Sequence, residues 1–232
     1  MHYLQWYESI LEKVEQKKPI ELWLHAMWFS GVVWLACVAY ILLRGDGWSI
    51  TSMNHAFSNA GMLLIGFSFA LSGLCYFWNF MDTKIIYRRY IGLMGFYFIT
   101  VHVGLSVALL RLVTDFGTYY SVPTNVLSNG FAVLAFLILL LMASISNQFA
   151  MHELGTAQWR ALLRTGYLAY VFAVIHFSIK RYDEWVWWLN NREPMLPPIS
   201  LVILVVAVCV LLLRIMLWLS VRRHNQSHIA SQ

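Results

Sequence analysis

The sequence predicts an all-α protein, a polytopic bundle of six transmembrane helices. Two observations carry this. The chain of 232 residues is 60% hydrophobic and only 12% charged, whereas a soluble domain carries about a quarter charged residues. Apolar stretches close to the ~20 residues that cross a bilayer recur along the whole length. Only short loops remain between them, so no separate soluble domain is expected. No GxGxxG or P-loop motif, convincing internal repeat or low-complexity tract is present. The net charge of +5 calls for no nucleic acid, because basic flanks of membrane helices and their lipid contacts account for it.

Residues 1–21 form the first element, expected as a cytoplasmic interfacial segment. Four carboxylates (Glu8, Glu12, Glu15 and Glu21) precede the first apolar run, which no signal peptide would tolerate. Trp6, Ile10 and Val14 recur at helical spacing beside Lys13, Lys17 and Lys18, the pattern of a short helix lying on the membrane. The six spans are placed at about 22–43, 56–80, 90–112, 126–148, 165–181 and 198–220, so that the helical domain covers 22–220 and a cytoplasmic tail covers 221–232. Asp46, Gly47 and Asn54 punctuate the first loop. Pro123 closes a later one, and Pro194, Pro197 and Pro198 lead into the last helix. The fifth span is short unless the segment YDEWVWWLNNREPMLPP extends it. Trp185, Trp187 and Trp188 there read either as a headgroup-level aromatic belt or as a lid over a cofactor edge.

Cation distribution orients the bundle. Lys13, Lys17, Lys18, Lys84, Arg88, Arg89, Arg160, Arg164, Arg222 and Arg223 fall on one side, ten in all. Arg44, Arg111, Lys180, Arg181 and Arg192 fall on the other, five in all, and Arg214 lies within the last helix. Both termini are therefore expected in the cytoplasm of a bacterial inner membrane. The cysteines, Cys37, Cys75 and Cys209, each sit in an apolar helix. With no CxxC or CxxCH they point to no zinc site, disulfide framework or covalent c-type haem.

Two histidines inside apolar helices carry the chemistry. His102 lies in YIGLMGFYFITVHVGLSVALL and His176 in TGYLAYVFAVIHFSI. An ionisable residue at such depth is a functional hypothesis by default. The third and fifth spans run the same way. His102 is about 21 Å of helix past Arg88, and His176 about 18 Å past Arg164. Both therefore reach the outer half of the membrane at similar depth. Two neutral imidazoles from neighbouring parallel helices can fill both axial positions of one haem b iron. Such ligation favours electron transfer, since it leaves no open position for oxygen. The alternative is two buried histidines, each hydrogen-bonded to a neighbouring helix.

Gly92, Gly95, Ile99 and Ser106 share the His102 stripe, and Gly166, Ala169, Ala173 and Lys180 share that of His176. Small residues such as Gly95 and Ala173 leave room for a flat macrocycle, or simply let helices pack closely. Lys180, one turn outward of His176, is placed to meet a haem propionate, or snorkels as an ordinary edge lysine. His55, with Ser58 and Asn59 a turn on, is a candidate for an outer quinone or substrate pocket. His2, His25, His152, His224 and His228 read as interfacial or solvated.

Arg88-Arg89-Tyr90-Ile91-Gly92-Leu93 opens the helix that reaches His102. Trp159-Arg160-Ala161-Leu162-Leu163-Arg164-Thr165-Gly166-Tyr167-Leu168-Ala169 leads to Ile175-His176. At these residues the chain resembles the ferric reductase-like transmembrane family. It looks closest to the small bacterial branch that includes the haem-binding membrane subunit of the methionine sulfoxide reductase system. The resemblance covers about half of the chain, from the second span to the fifth, and implies a haem between His102 and His176. It also implies a departure. The family's second fifth-helix histidine is Leu163 here, and a histidine that larger members carry near the start of the third helix is Arg88. An inner haem is therefore expected to be absent. The cytoplasmic flavin and NADPH domain of larger members has no counterpart.

The expected function is that of a membrane haem b protein, the membrane subunit of an oxidoreductase. It would pass electrons from a quinol or flavin donor to an outer-face redox partner. A quinol is favoured over FMN or a flavoprotein, since a cytoplasmic donor would face roughly 20 Å of helix before the iron. A non-catalytic anchor that retains haem for assembly and a small proton-coupled transporter using the two histidines are the competing classes.

Overall fold

Residues 19–113 and 115–230 are described in a computed structural model. They are helical apart from short connections. In chain order the helices are α1 (Pro19–Arg44), α2 (Ile50–Phe77), a 3₁₀ turn (Asn79–Lys84), α3 (Tyr87–Val113), α4 (Phe116–Tyr120), α5 (Pro123–Ile145), α6 (Gln148–Arg164), α7 (Gly166–Asn191) and α8 (Ile199–Ala230). Six helices among the described residues are long and apolar enough to cross a membrane, as expected. The end at which α1 stops and α2 begins is called upper below. The interfacial helix expected around Trp6, Ile10 and Val14 lies outside the described residues.

Local chemistry sets the boundaries. Gly45 (φ 93°) and Gly47 (φ 69°) make the turn after α1, a backbone region that side-chain-bearing residues avoid. Ser49 then caps α2, its hydroxyl accepting from Ser52 N–H at 3.0 Å. The second helix therefore starts at Ile50, six residues before the hydrophobic run, and takes in a polar turn. Asp115 caps α4 and Asn147 caps α6 in the same manner. Pro123 occupies the first turn of α5, where its missing N–H costs nothing. The fifth crossing does not stop at 181. It continues through the Trp-rich segment to Asn191, where Arg192 adopts a left-handed cap.

The loop expected between the fourth and fifth spans is instead the helix α6, interrupted at Gly155 (φ 71°). Trp159 anchors it by donating to Ile145 O, the exposed carbonyl end of α5 (2.9 Å). At Thr165 the chain tightens, with Thr165 N–H bonding Leu162 O at 3.0 Å. This turn separates Leu163 from the helix that carries His176.

Helix α2 is the central element. Within its most apolar window 72% of residues are buried, against 6% for α3. It packs on α1, α3, α7 and α8. Met62, Ile65 and Phe69 of α2 meet Tyr170 of α7 and Ile203, Ala207 and Val210 of α8 in the main core. The closest pairings are α2 with α3 and α5 with α7. The α2–α3 crossing depends on glycine. A Cβ on Gly95 would lie 3.0 Å from Ile65 N and 3.1 Å from Gly61 O, closer than packed backbones allow.

Candidate functional site

His102 stands on α3 and is served by α2, and His176 stands on α7 and is served by α5. Asn54 of α2 accepts from His102 Nδ1 at 2.8 Å, and its own amide donates to Ser106 Oγ at 2.9 Å. Ser128 of α5 serves His176, whose Nδ1 lies 3.0 Å from the Ser128 carbonyl and 2.9 Å from its hydroxyl. A carbonyl oxygen only accepts, so Nδ1 of His176 must carry the proton. That hydroxyl in turn donates to His176 O at 3.1 Å. The Asn54 amide, fixed by Ser106, imposes the same tautomer on His102.

Each ring thereby keeps its Nε2 lone pair, for which no protein hydrogen bond is found among the described residues. This is the arrangement of a metal-ligating imidazole, whose second nitrogen is held by an acceptor that orients the ring and raises its basicity.

The depths match. Asn54 lies four residues into α2 and Ser128 five into α5, roughly 6 and 8 Å below the upper ends of those helices. In both pairs histidine and partner are separated by 48 residues. The helix pairs α2–α3 and α5–α7 thus present their imidazoles in equivalent ways, although no repeat is evident in the sequence.

Room and electrostatics fit a flat cofactor between the two helices. The backbones of α3 and α7 are not in close contact, although the two imidazoles are within electrostatic reach of each other. Val171–Arg181 is half-buried on every face, without the alternation of lipid-facing and core-facing positions that α8 shows. No cluster of three or more His, Cys, Asp or Glu side chains among the described residues is arranged to hold a metal ion. A bare ion would therefore find two imidazoles only, whereas iron in a macrocycle brings its remaining ligands with it. The donor set fits haem.

The other expected site residues are placed as follows. Gly95 lies in the α2–α3 crossing, and Ala173 packs against the main core. At Gly95 the missing side chain serves helix approach. Lys180 donates to Tyr119 Oη and to Asn125 Oδ1 (2.6 Å), with its ammonium over the Tyr119 ring, so it ties α7 to α4 and α5. His55 and Asn59 do line an upper cavity, while Ser58 Oγ turns back to His55 O. Trp185 is buried and donates to Ser200 Oγ at 2.8 Å, which fixes the upper end of α7 against α8. In the lower half, the Phe69–Tyr167 stack (centroids 4.5 Å apart) and Met142 against Gly166 fill the space between α2, α5 and α7. The Arg88 carbonyl accepts there from Ser68 Oγ at 2.7 Å.

Sequence reasoning placed Asn54 in a loop. It is in fact a buried helical residue, 6% exposed, and the partner of His102. Ser128 was not singled out at all. Its signal, a serine near the start of an apolar helix, is too common to stand out.

The chain matches no protein-family model. It is similar to the protein-methionine-sulfoxide reductase haem-binding subunit MsrQ of Pasteurella multocida, at 27% identity over 176 residues, which cover 72% of this chain and 77% of the relative. It is also similar to the subunit of the same name from Agrobacterium fabrum, at 31% identity over 101 residues, covering 42% of this chain and 44% of that relative. These similarities bear out the resemblance carried by the two arginine-rich motifs.

Proposed function

We propose that the chain is a single-haem electron-transfer subunit of a bacterial inner membrane, with His102 and His176 as axial ligands of one haem b. The observation that carries this is the pair of imidazoles at one depth. Each has Nδ1 committed to an acceptor and Nε2 without a protein hydrogen bond among the described residues. The haem supplies one-electron chemistry there. His102 and His176 hold it, and Asn54 and Ser128 fix the tautomer that makes holding possible. The surrounding apolar helices exclude water. Held by His102 and His176, the group would supply electron relay rather than oxygen activation.

The relatives' name supports a partner. A haem-binding subunit of a methionine sulfoxide reductase works with a second subunit. We place that redox partner at the upper, outer face, since the excess of Lys and Arg marks the lower face as cytoplasmic, with both termini there. The donor we favour is a quinol moving within the bilayer. The packed aromatic side chains below the site leave a cytoplasmic flavin donor far from the iron.

The full chain purified from membranes is expected to carry one haem, with a low-spin reduced-minus-oxidised spectrum. Quinol added to vesicles should reduce it with no soluble protein present. Two haems per chain, or none, overturns the assignment. Reduction by an inner-face flavoprotein alone overturns the donor.

A further inference from the structure

The upper ends of α1, α2, α7 and α8 enclose a cavity of about 40 Å³, lined by Arg44, Asp46, His55, Asn59, Arg181, Glu184 and Ser200 among others. It is larger than the ~10–15 Å³ that a single water needs. The Arg44 side chain is only 9% exposed. Its Nη1 makes all of its ion pairs, to Glu184 Oε1 at 2.7 Å and Asp46 Oδ2 at 3.2 Å. Its Nε is buried and has no hydrogen-bond partner among the described residues. Arg181 Nη1 reaches Glu184 Oε2 at 3.2 Å, and Arg181 Nη2 donates to His55 Nε2 at 2.6 Å, so His55 is an acceptor there. Ser200 Oγ accepts from Trp185 and keeps its own proton to give. No hydrogen bond is found for the Asn59 amide among the described residues. One buried donor here, Arg44 Nε, therefore lacks an acceptor, which is costly, and the Asn59 amide and Ser200 hydroxyl are further donors on the lining.

The cavity also adjoins the two-histidine site. His55 follows Asn54, the partner of His102, and its ring is within electrostatic reach of the His102 ring. Arg181 interacts with His102 over the same range. The acceptor that suits Arg Nε, a primary amide and a hydroxyl together is a carboxylate. The chain's own carboxylates at this place, Asp46 and Glu184, are already bound to guanidinium groups.

We infer that this cavity receives a carboxylate arm of the haem, with Arg44, Asn59 and Ser200 as donors and Arg181 held beside them by His55 and Glu184. This rests on the haem reading above. It assigns to the α1–α8 side of the bundle a task that Lys180, engaged with Tyr119 and Asn125, was expected to perform.

The test is reconstitution of the full chain, produced without haem, with haem b and with its dimethyl ester, which lacks both carboxylates. Affinity is read from the low-spin spectrum. Wild-type protein is expected to prefer haem b by about ten-fold or more. Arg44→Gln and Asn59→Leu should erase most of that preference while binding the diester as wild type does, which also shows that they fold. Lys180→Gln should keep the preference. Equal binding of the two haems by wild type overturns the assignment and leaves water as the occupant. So does a preference that survives in both cavity variants but disappears in Lys180→Gln. If wild type binds neither haem, the haem reading itself falls and takes this one with it.

Discussion

His102→Ala and His176→Ala are each expected to strip the protein of haem, from one per chain to a small residue, at least about a ten-fold loss. On the proposed reading the haem has no CxxCH to attach it, so the two imidazoles would carry most of what fixes it. Removing one imidazole leaves a void of apolar lining on that side, and neither Asn54 nor Ser128 reaches in to replace it. Any haem that remains in His176→Ala should be high-spin. Imidazole added to the medium should convert it back, because the hole left by the side chain matches the reagent. Haem content and the spin state of the visible spectrum measure both outcomes. A complete low-spin spectrum in either variant removes that residue from the ligand pair.

Asn54→Leu is expected to lower haem affinity by about 10- to 100-fold, although residue 54 never touches iron. Leucine keeps the volume and deletes the acceptor at 2.8 Å from His102 Nδ1. The ring N–H is then buried without a partner, and its tautomer is no longer imposed. The imidazole also becomes a weaker electron donor, so the midpoint potential should rise. Ser128→Ala provides an internal contrast. The hydroxyl is lost, but the backbone carbonyl 3.0 Å from His176 Nδ1 stays, so the effect should be clearly smaller. Potentiometry and haem titration of both variants decide the matter. A Ser128→Ala loss equal to or above that of Asn54→Leu would contradict the hydrogen-bond account.

Much of this architecture can be recognised in the sequence, for a physical reason. Membrane helices announce themselves by transfer free energy summed over ~20 residues, so six apolar runs give six crossings. A histidine inside such a run stands out because burying it needs a partner. What the same logic misses is structure that hydropathy does not drive. Ile50–Asn54 looks like a loop because it is polar, yet Ser49 caps it and the helix carries it. Lys180–Glu184 looks like the end of a span, yet its charges pair with Arg44, His55 and Tyr119 from other helices and so remain helical. The partners of the histidines lie 48 residues away in sequence. Nothing local marks an asparagine or a serine as the one that faces a ring. Gly95 shows the opposite limit. Its place on the histidine stripe is evident from spacing, but whether the missing side chain serves a cofactor or a neighbouring helix depends on what lies opposite, which here is Ile65.

The central position of α2 bears on how the chain is made. This helix emerges second during synthesis. One flank of it is covered by α8, which emerges well after it, through contacts such as Gly73 against Leu213 and the shared core around Ile203 and Val210. Both histidines and both of their partners are therefore inserted before that flank of α2 is covered. Until then the α2 residues that meet α8 in the main core, such as Ile65 and Phe69, face lipid or a chaperone. A chain ended at Asn191 would retain every residue of the two-histidine site and still leave α2 unfinished. Such a chain is expected to be cleared by membrane proteases rather than to accumulate as a smaller haem protein. Pulse-chase labelling of the truncated and full chains measures this, and a long-lived, haem-loaded truncation would show that the last helix is dispensable for assembly.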